Sequence, residues 1–423
     1  MILIYRFIIN AFFPLIVIII FFRTWYKKED KKRFKEKIFS TSLNVVKNYK
    51  KKLIWFHVAS IGELKSIVPL IKKLNKNNKY AFLITTVTLS SAQLIANNLF
   101  NQKNITHRFF PIDKLGLVKK FLNSWSPNLI IFVDSEIWPN FLLEIKKRKI
   151  PLILLNGRIT KKTFLRWSKI PETAKKIFAS FDLCLPSSPE SKYYLEKFKV
   201  KNIKYFGNLK FTSENELNNL NFKNKEILSN RKFWCAISTH KGEDLFCIKT
   251  HLNLKVNHKT IITIIIPRHI DRVKDIKLSC KNLNLTSQIL SDGELINPDK
   301  EIIIINSYGV ISSYLRLCKS VFIGKSMIKK LDAVGGQNPI EAAKMGCKIY
   351  HGPYVRNFKD VYELLNKYKI SEEINNDIEL SNKLEIDLKT FNEIKNEKII
   401  IINNLGEKIL NDTYEELVKI LNK

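Results

Sequence analysis

The sequence predicts an α/β protein of two doubly wound parallel sheets behind an apolar N-terminal helix. Three observations predict it. Short apolar runs alternate with helical patterns along the chain, the runs fall into two series, and the unusual polar residues gather where the runs end. The length of 423 residues accommodates two domains of about 200. A hydrophobic content of 45% supplies real cores and excludes a disordered or fibrous chain.

The first element is the run from Phe7 to Phe22, free of charge and extended by Ile2 to Tyr5 across Arg6. Residues 2–22 just reach the roughly 20 residues a bilayer span needs, with Pro14 placed to kink them, and a shallow re-entrant or interfacial helix is the other reading of the same run. The alternative of a cleaved signal peptide fits poorly. Arg23, Lys27, Lys28, Lys31, Lys32, Arg33, Lys35 and Lys37 follow the apolar run instead of preceding it, and no small-residue cleavage site is evident. The segment therefore reads as an uncleaved anchor, with everything after residue 23 retained on the cytoplasmic side and Arg23 to Phe39 against an anionic leaflet.

The first strand series reads Leu53 to Val58, Ala81 to Thr85, Leu129 to Val133, Leu152 to Asn156 and Ile203 to Phe206. A helix follows the first run, with Ile67, Leu70, Ile71 and Leu74 at helical spacing. The second series reads Trp234 to Ser238, Thr260 to Ile266, Glu301 to Asn306, Val321 to Ile323 and Lys348 to Tyr350. These runs are continuously apolar instead of alternating, as strands buried on both faces of a parallel sheet require. Between the series, the Asn/Lys-rich stretch from Gly207 to Asn224 reads as an interdomain linker, and the tail from about 370 as helices.

The charge balance is lopsided, with 72 Lys+Arg against 39 Asp+Glu for a net +33. That excess fits nucleic acid, an anionic membrane or a phosphorylated substrate as partner, while a general Lys/Asn/Ile bias accounts for much of it. Aromatic and basic residues interleave in no RNA-binding pattern, which sets nucleic acid aside. The six cysteines are scattered without any Cys-x-x-Cys, so neither a zinc site nor a disulfide framework is expected.

The polar clusters follow strand ends: His57 to Glu63, Asp134 to Pro139, Asn156 to Arg158, Ser238 to Glu243, and Pro267 to His269. Open α/β sheets bind ligands beyond the carboxyl ends of their strands, so two facing sheets would gather these loops at one cleft. Read from the residues, Glu63 is either a helix N-terminal acid favoured by the dipole or a base in a turn. Glu136 is either a buried acid or a group that organises the cleft. Arg158 and Lys210 are candidate anion contacts or solvated charges. Arg268 emerges directly after a strand and Pro267, well placed for a phosphate. Asn338-Pro339-Ile340-Glu341 reads as N-cap, N1 proline and an N3 acid, a helix start that also suits an anion.

In these loops the sequence resembles the Kdo transferases, which attach 3-deoxy-manno-octulosonic acid (Kdo) from CMP-Kdo to the lipid A precursor. The likeness covers almost the whole chain and rests on motifs in order: His57-x-x-Ser60-x-Gly62-Glu63, Ser135-Glu136-Ile137-Trp138-Pro139, Asn156-Gly157-Arg158, Gly207-Asn208-Leu209-Lys210-Phe211, Ser238-Thr239-His240-Lys241-Gly242-Glu243, Pro267-Arg268-His269, Gly335-Gly336-Gln337-Asn338-Pro339-Ile340-Glu341, and Gly352-Pro353 with Asn357-Phe358. The resemblance implies a GT-B-type glycosyltransferase with two Rossmann-like domains facing a cleft. Its domains would be an anchor at 1–24, an acceptor domain at 25–212 and a CMP-Kdo domain at 213–423. It implies inverting transfer to lipid IVA at the cytoplasmic face of the inner membrane, with Glu63 as general base. Ser60, Gly62, Glu136, Arg158, Lys210 and His240 would then line the acceptor side or the cleft. Pro267, Arg268, Tyr308, Gly309, Val310, Asn338, Pro339, Ile340 and Glu341 would hold the donor. No Asp-x-Asp pair occurs, so no metal or other cofactor is expected.

The chain departs from the family pattern at three places. Asn306-Ser307-Tyr308-Gly309-Val310-Ile311 loses two acids, Gly324-Lys325-Ser326 replaces Gly-Gly-Ser, and Gln337 replaces a His. The first leaves room for a different nucleotide sugar. A non-enzyme reading, a basic membrane-surface protein, also competes.

Overall fold

A computed structural model describes residues 1–39, 41, 51–96, 104–213, 222–389 and 393–422. Two compact units form: Met1–Glu214 with Gly406–Lys423, and Asn215–Leu405. Residues 214–221 of the expected linker lie outside the described residues.

In the first unit, six parallel strands make one sheet: β1 Lys52–Val58, β2 Tyr80–Thr86, β3 Ile105–Phe109, β4 Leu129–Val133, β5 Leu152–Gly157 and β6 Leu183–Pro186. Their order is β3-β2-β1-β4-β5-β6. In the second unit β7 Phe233–Thr239, β8 Ile262–Pro267, β9 Ser287–Leu290, β10 Ile302–Ile305, β11 Ser320–Ile323, β12 Lys348–His351 and β13 Ser371–Glu373 are ordered β13-β12-β11-β7-β8-β10-β9, again all parallel. Both are doubly wound, Rossmann-like sheets, and each reverses its strand order at its first strand, between β1 and β4 and between β7 and β11.

The apolar runs explain the cores. Every residue of β4 is buried, and Trp55 at the centre of β1 packs its ring against Phe121, Phe132 and Phe141 at centroid distances of 4.9, 5.5 and 5.6 Å. Trp234 and Phe322 occupy the matching place in the second unit, under Ile248 and Ile276.

Two expectations need correction. Residues 203–206 form no strand. Ile203 makes a single parallel bridge to Cys184, and the chain turns away at Gly207, whose φ is +117°. Of the C-terminal helices expected in the second domain, residues 406–423 belong instead to the first unit. The helix Glu393–Leu421 places Gly406 so close to Phe211 that an added Cβ would lie 2.4 Å from that carbonyl oxygen. Beyond it, Lys204 pairs with Glu416 at 2.7 Å and Lys52 donates to the Leu421 carbonyl at 2.6 Å.

The N-terminal apolar run is a single helix, α1 (Ile2–Trp25), long and apolar enough to cross a membrane. One side of it lies on the first unit. The Tyr5 hydroxyl donates to Asp113 at 2.8 Å, Arg6 Nε donates to Asn140 Oδ1 at 2.8 Å, and Ile20 packs with Phe34 and Ile38.

Candidate functional site

At the switch point of the first sheet, β1 leads through Ala59 into the helix Ile61–Asn75, with Ser60 as N-cap. Glu63 sits three residues on and completes a capping box. The Ala59 N–H donates to its Oε2 at 2.7 Å and the Ser60 hydroxyl to its Oε1 at 2.8 Å, while the Glu63 N–H donates back to Ser60 Oγ at 3.3 Å. Capping therefore explains the residue type, but not its charge state. Burial pushes the Glu63 carboxyl up, and the Asp134 and Glu136 charges push the same way; together they outweigh the Ala59 and Ser60 hydrogen bonds and bring it to about 7. Gly62 beside it is exposed, and a Cβ there would meet nothing within 4 Å. The glycine thus answers to no contact within the protein and leaves space alongside Glu63.

The partner loop follows β4. Asp134 takes a left-handed backbone, φ +62°, which turns Ser135 and Glu136 outward from the strand end. Glu136 Oε2 receives the Trp138 indole N–H at 2.7 Å and lies 3.1 Å from His57 Nε2. His57 is fully buried, stacked on Phe110 at 3.7 Å, with Nδ1 3.0 Å from Thr85 Oγ1, which in turn accepts the Trp55 indole N–H at 2.8 Å. This chain fixes Glu136 from the core. Burial raises its carboxyl, but the hydrogen bonds from His57 and Trp138 more than offset that and leave it below the ordinary value. Two neighbouring acids are thereby driven apart, one firmly anionic and one titrating near neutrality, the pattern that marks an acid/base site.

Two further predicted residues join this cluster. Lys210, in the 3₁₀ turn Leu209–Thr212, brings Nζ to 3.9 Å from Asp134 Oδ2. Arg158 donates its backbone N–H to the Asp134 carbonyl at 3.1 Å. Asn156 holds the turn in place by accepting the Leu209 N–H at 2.8 Å.

The second switch point has the same grammar and a different outcome. After β7, Gly242-Glu243 stands where Gly62-Glu63 stands after β1, at the start of the helix Glu243–Asn257. Glu243 is buried and its carboxylate is saturated by backbone. Oε2 accepts from the N–H groups of His240 (2.9 Å) and Lys325 (2.7 Å), and Oε1 from those of Ser326 (2.8 Å) and Met327 (2.9 Å). This acid ties the β7 loop to the β11 loop and is occupied in doing so. At Gly324 a Cβ would stand 2.7 Å from both the Ser238 carbonyl oxygen and the Thr239 Cα. Gly324→Ala is accordingly expected to destabilise the second unit by about 1–3 kcal/mol in urea unfolding, because both neighbours are backbone and neither yields.

Of the predicted donor residues, Pro267 ends β8 buried, and Arg268 follows with an exposed side chain and its N–H on the Thr239 carbonyl at 3.1 Å. His240, in the second unit, lies 5.9 Å edge-on from His269. Tyr308 is exposed after β10, Gly309 has φ +81°, and Val310 lines a cavity of about 230 Å³ with Ser307 and Ser291 to Glu294. The helix start at Asn338 is shifted by one from the expected register. The helix is Ile340–Lys344 with Pro339 in the cap position, and Asn338 Oδ1 accepts the Ile340 N–H at 3.2 Å. Glu341 receives the Ser312 hydroxyl at 2.7 Å, joining this helix to Ile311–Leu317.

A family model for 3-deoxy-D-manno-octulosonic-acid transferase (Kdo transferase) matches residues 32–213. A protein of Rickettsia prowazekii named 3-deoxy-D-manno-octulosonic acid transferase is 30% identical over 388 residues, covering 89% of this chain and 82% of the relative. The chain belongs to the Kdo transferase family. A Rickettsia bellii protein of the same name is 29% identical over 422 residues and 98% of both chains. In fold, a Listeria monocytogenes structure titled putative UDP-N-acetylglucosamine 2-epimerase aligns with TM-score 0.60 at 12% identity, over 87% of this chain and 97% of that one. The chain is thus a Kdo transferase family glycosyltransferase of two Rossmann-like domains with a GT-B-like neighbourhood.

Among the residues of this Kdo transferase, two were underrated by sequence reasoning. Glu243 stands inside a quoted motif, but three of its four backbone partners, Lys325, Ser326 and Met327, come from a loop some eighty residues away, which no local pattern shows. His57 appears in the sequence only as the start of a motif, and its part in the structure is to carry the Thr85 and Trp55 network to Glu136. The signal available was its place within an otherwise apolar strand: a buried polar residue needs partners.

Proposed function

We propose that this Kdo transferase moves Kdo from CMP-Kdo to a sugar hydroxyl of the lipid A precursor (lipid IVA), with inversion and with Glu63 as general base. The observation that carries this reading is the Glu63 carboxyl: at a switch point, brought to about 7, and beside open space at Gly62. A base of that strength takes a proton from a hydroxyl near neutral pH while remaining about half ionised there. The acceptor oxygen then bonds to the anomeric carbon of Kdo as the bond from that carbon to the CMP phosphate oxygen breaks, and the proton rests on Glu63. One displacement of this kind needs one base and no covalent enzyme intermediate. Glu136, anchored by His57 and Trp138, keeps a negative charge near Glu63 and so maintains its basicity. Lys210 and Arg158 supply positive charge for a phosphorylated acceptor.

On the donor side, Arg268 would neutralise the leaving phosphate, supported by its exposed side chain at the carboxyl end of β8. Arg268→Ala is expected to raise the KM for CMP-Kdo about tenfold to a hundredfold, the worth of one charge-assisted phosphate contact, with the KM for the lipid unchanged in the same assay. The apolar α1 and the basic stretch after it support work at an inner-membrane surface.

The test is direct. Purified protein given CMP-Kdo and lipid IVA should release CMP and yield a Kdo-bearing lipid, and UDP-sugars in place of CMP-Kdo should yield none. Transfer from a UDP-sugar with no transfer from CMP-Kdo would overturn the donor assignment.

A further inference from the structure

Burial along α1 repeats with helical period: Tyr5, Ile9, Phe13, Ile16, Ile20 and Thr24 face the first unit. On a soluble surface helix the opposite face would be polar. Here it is apolar and bare, with Leu3, Phe7 and Trp25 at 77%, 73% and 78% exposure and Phe12, Leu15 and Phe22 between them. Two surfaces of one helix thus want different partners, and only one of them is protein.

The protein-facing side is fastened at both ends. Near the start, Tyr5 binds Asp113 and Arg6 binds Asn140; Lys114 Nζ lies 3.9 Å over the Phe13 ring; near the finish, Ile20 packs on Phe34 and Ile38. Asp113 is itself built in, since it accepts the Asn140 and Phe141 N–H groups at 2.9 Å each. From Tyr5 to Ile20 the helix axis runs about 22 Å, most of the roughly 30 Å of a hydrocarbon core. A helix held to a folded unit over that length does not cross the core without releasing every one of these contacts and stranding Arg6.

In the last turn of α1 and beyond it, Arg23, Lys27, Lys28, Lys31, Lys32 and Lys35 are exposed. The acids of the same stretch are largely neutralised within it: Glu29 pairs with Arg23 and Lys37, and Glu36 with Arg33 and Arg108. The bare apolar face is therefore continued by a positive one, which selects an anionic lipid surface over a protein partner.

We infer that α1 lies in the plane of an anionic leaflet, clamped to the first unit along its inner face, with its outer face in the acyl boundary and the N-terminus on the same side of the membrane as both units. This rests on the reading that the enzyme works on a membrane lipid, and it replaces a spanning anchor with an in-plane one. The six native cysteines are buried, which permits sided labelling. Full-length protein with one cysteine added before Ile2, and separately Lys28→Cys, is probed in inverted and right-side-out vesicles with a membrane-impermeant maleimide. Both thiols are expected to react in inverted vesicles and to be protected in right-side-out ones. Reaction of the N-terminal thiol from the opposite face, or from neither, overturns the inference.

A second measurement does not depend on that variant. Val17→Cys with Ile112→Cys, both at the packed seam, is expected to be joined by a short bis-maleimide in native membranes, and absence of the cross-link counts equally against the inference. Detergent-free protein should float with vesicles containing phosphatidylglycerol; recovery as a soluble dimer, with the outer faces covering each other, overturns it too. Kdo transfer by the same vesicles reports on the function separately, so loss of one reading is distinguishable from loss of the other.

Discussion

Glu63→Gln is expected to lower kcat for Kdo transfer by about 10²- to 10⁴-fold, the usual worth of a positioned general base, while leaving the fold intact. The geometry makes this substitution clean. Gln is the other residue that completes a capping box, since its amide oxygen takes the Ala59 N–H and its amide nitrogen meets Ser60 Oγ. A capping role and a catalytic role therefore predict opposite phenotypes. Wild-type kcat/KM should rise with pH and level off above about 7, because the proton acceptor must be ionised, and that limb should vanish in the variant. The stability linkage has a definite sign. A carboxyl brought from its ordinary 4.5 to about 7 binds its proton more tightly when folded. Its contribution to stability is present below 4.5 and is lost as pH rises through 7. Glu63→Gln, which does not titrate, should thus gain on the wild type between pH 5 and pH 8 in thermal unfolding. Turnover within threefold of wild type would end the base assignment.

How far these features were legible depends on where burial writes a pattern. Nine of the ten apolar runs read as strands lie in strands of the structure. The four strands that escaped, β3, β6, β9 and β13, are the four edges of the two sheets. Three of them are covered less completely and carry weaker runs: β3 reads Ile-Thr-His-Arg-Phe and β9 Ser-Gln-Ile-Leu, each with only its last residue buried, and β13 is Ser-Glu-Glu; β6, Leu-Cys-Leu-Pro, is buried throughout but only four residues long. The run at 203–206 misled because Ile203 is apolar for packing, not for pairing. The tail misled because Gly406 and Glu416 find their partners in Phe211 and Lys204, contacts between segments about two hundred residues apart. In the candidate site the motif loops were legible because strand-end position follows from topology. The charge states were not, since those depend on burial and on which acids face one another. Asp134 illustrates this: its left-handed turn and its proximity to Glu63 and Lys210 emerge only when β1 and β4 lie side by side.

The two Gly-Glu turns should respond oppositely to the same substitution. Glu243→Gln is expected to destabilise the second unit by about 2–6 kcal/mol, the cost of leaving two buried backbone N–H groups without an acceptor. The amide can offer one oxygen to one pair of donors, and whichever pair it serves, its NH₂ group then faces the other pair, donor against donor. Either the His240 and Lys325 N–H groups or those of Ser326 and Met327 lose their partner. Nothing local substitutes, because Gly324 is pressed against Ser238 and Thr239 and leaves the loop no room to shift. A loss of that size is a large part of the 5–15 kcal/mol that holds a domain together. The urea midpoint of the second unit should therefore fall sharply, and CMP binding by calorimetry should fall with it, since the loops after β7 and β11 are both released. Glu243→Ala should cost at least as much, because it removes both acceptors at once. An outcome in which Glu243→Gln unfolds at the wild-type urea concentration would show that the four amides are satisfied by water, and Glu243 would then be, like Glu63, available for chemistry. The same Gly-Glu in two sheets would thus differ in its surroundings: four backbone donors make one carboxylate a fastener, and burial with two acidic neighbours raises the other to about 7.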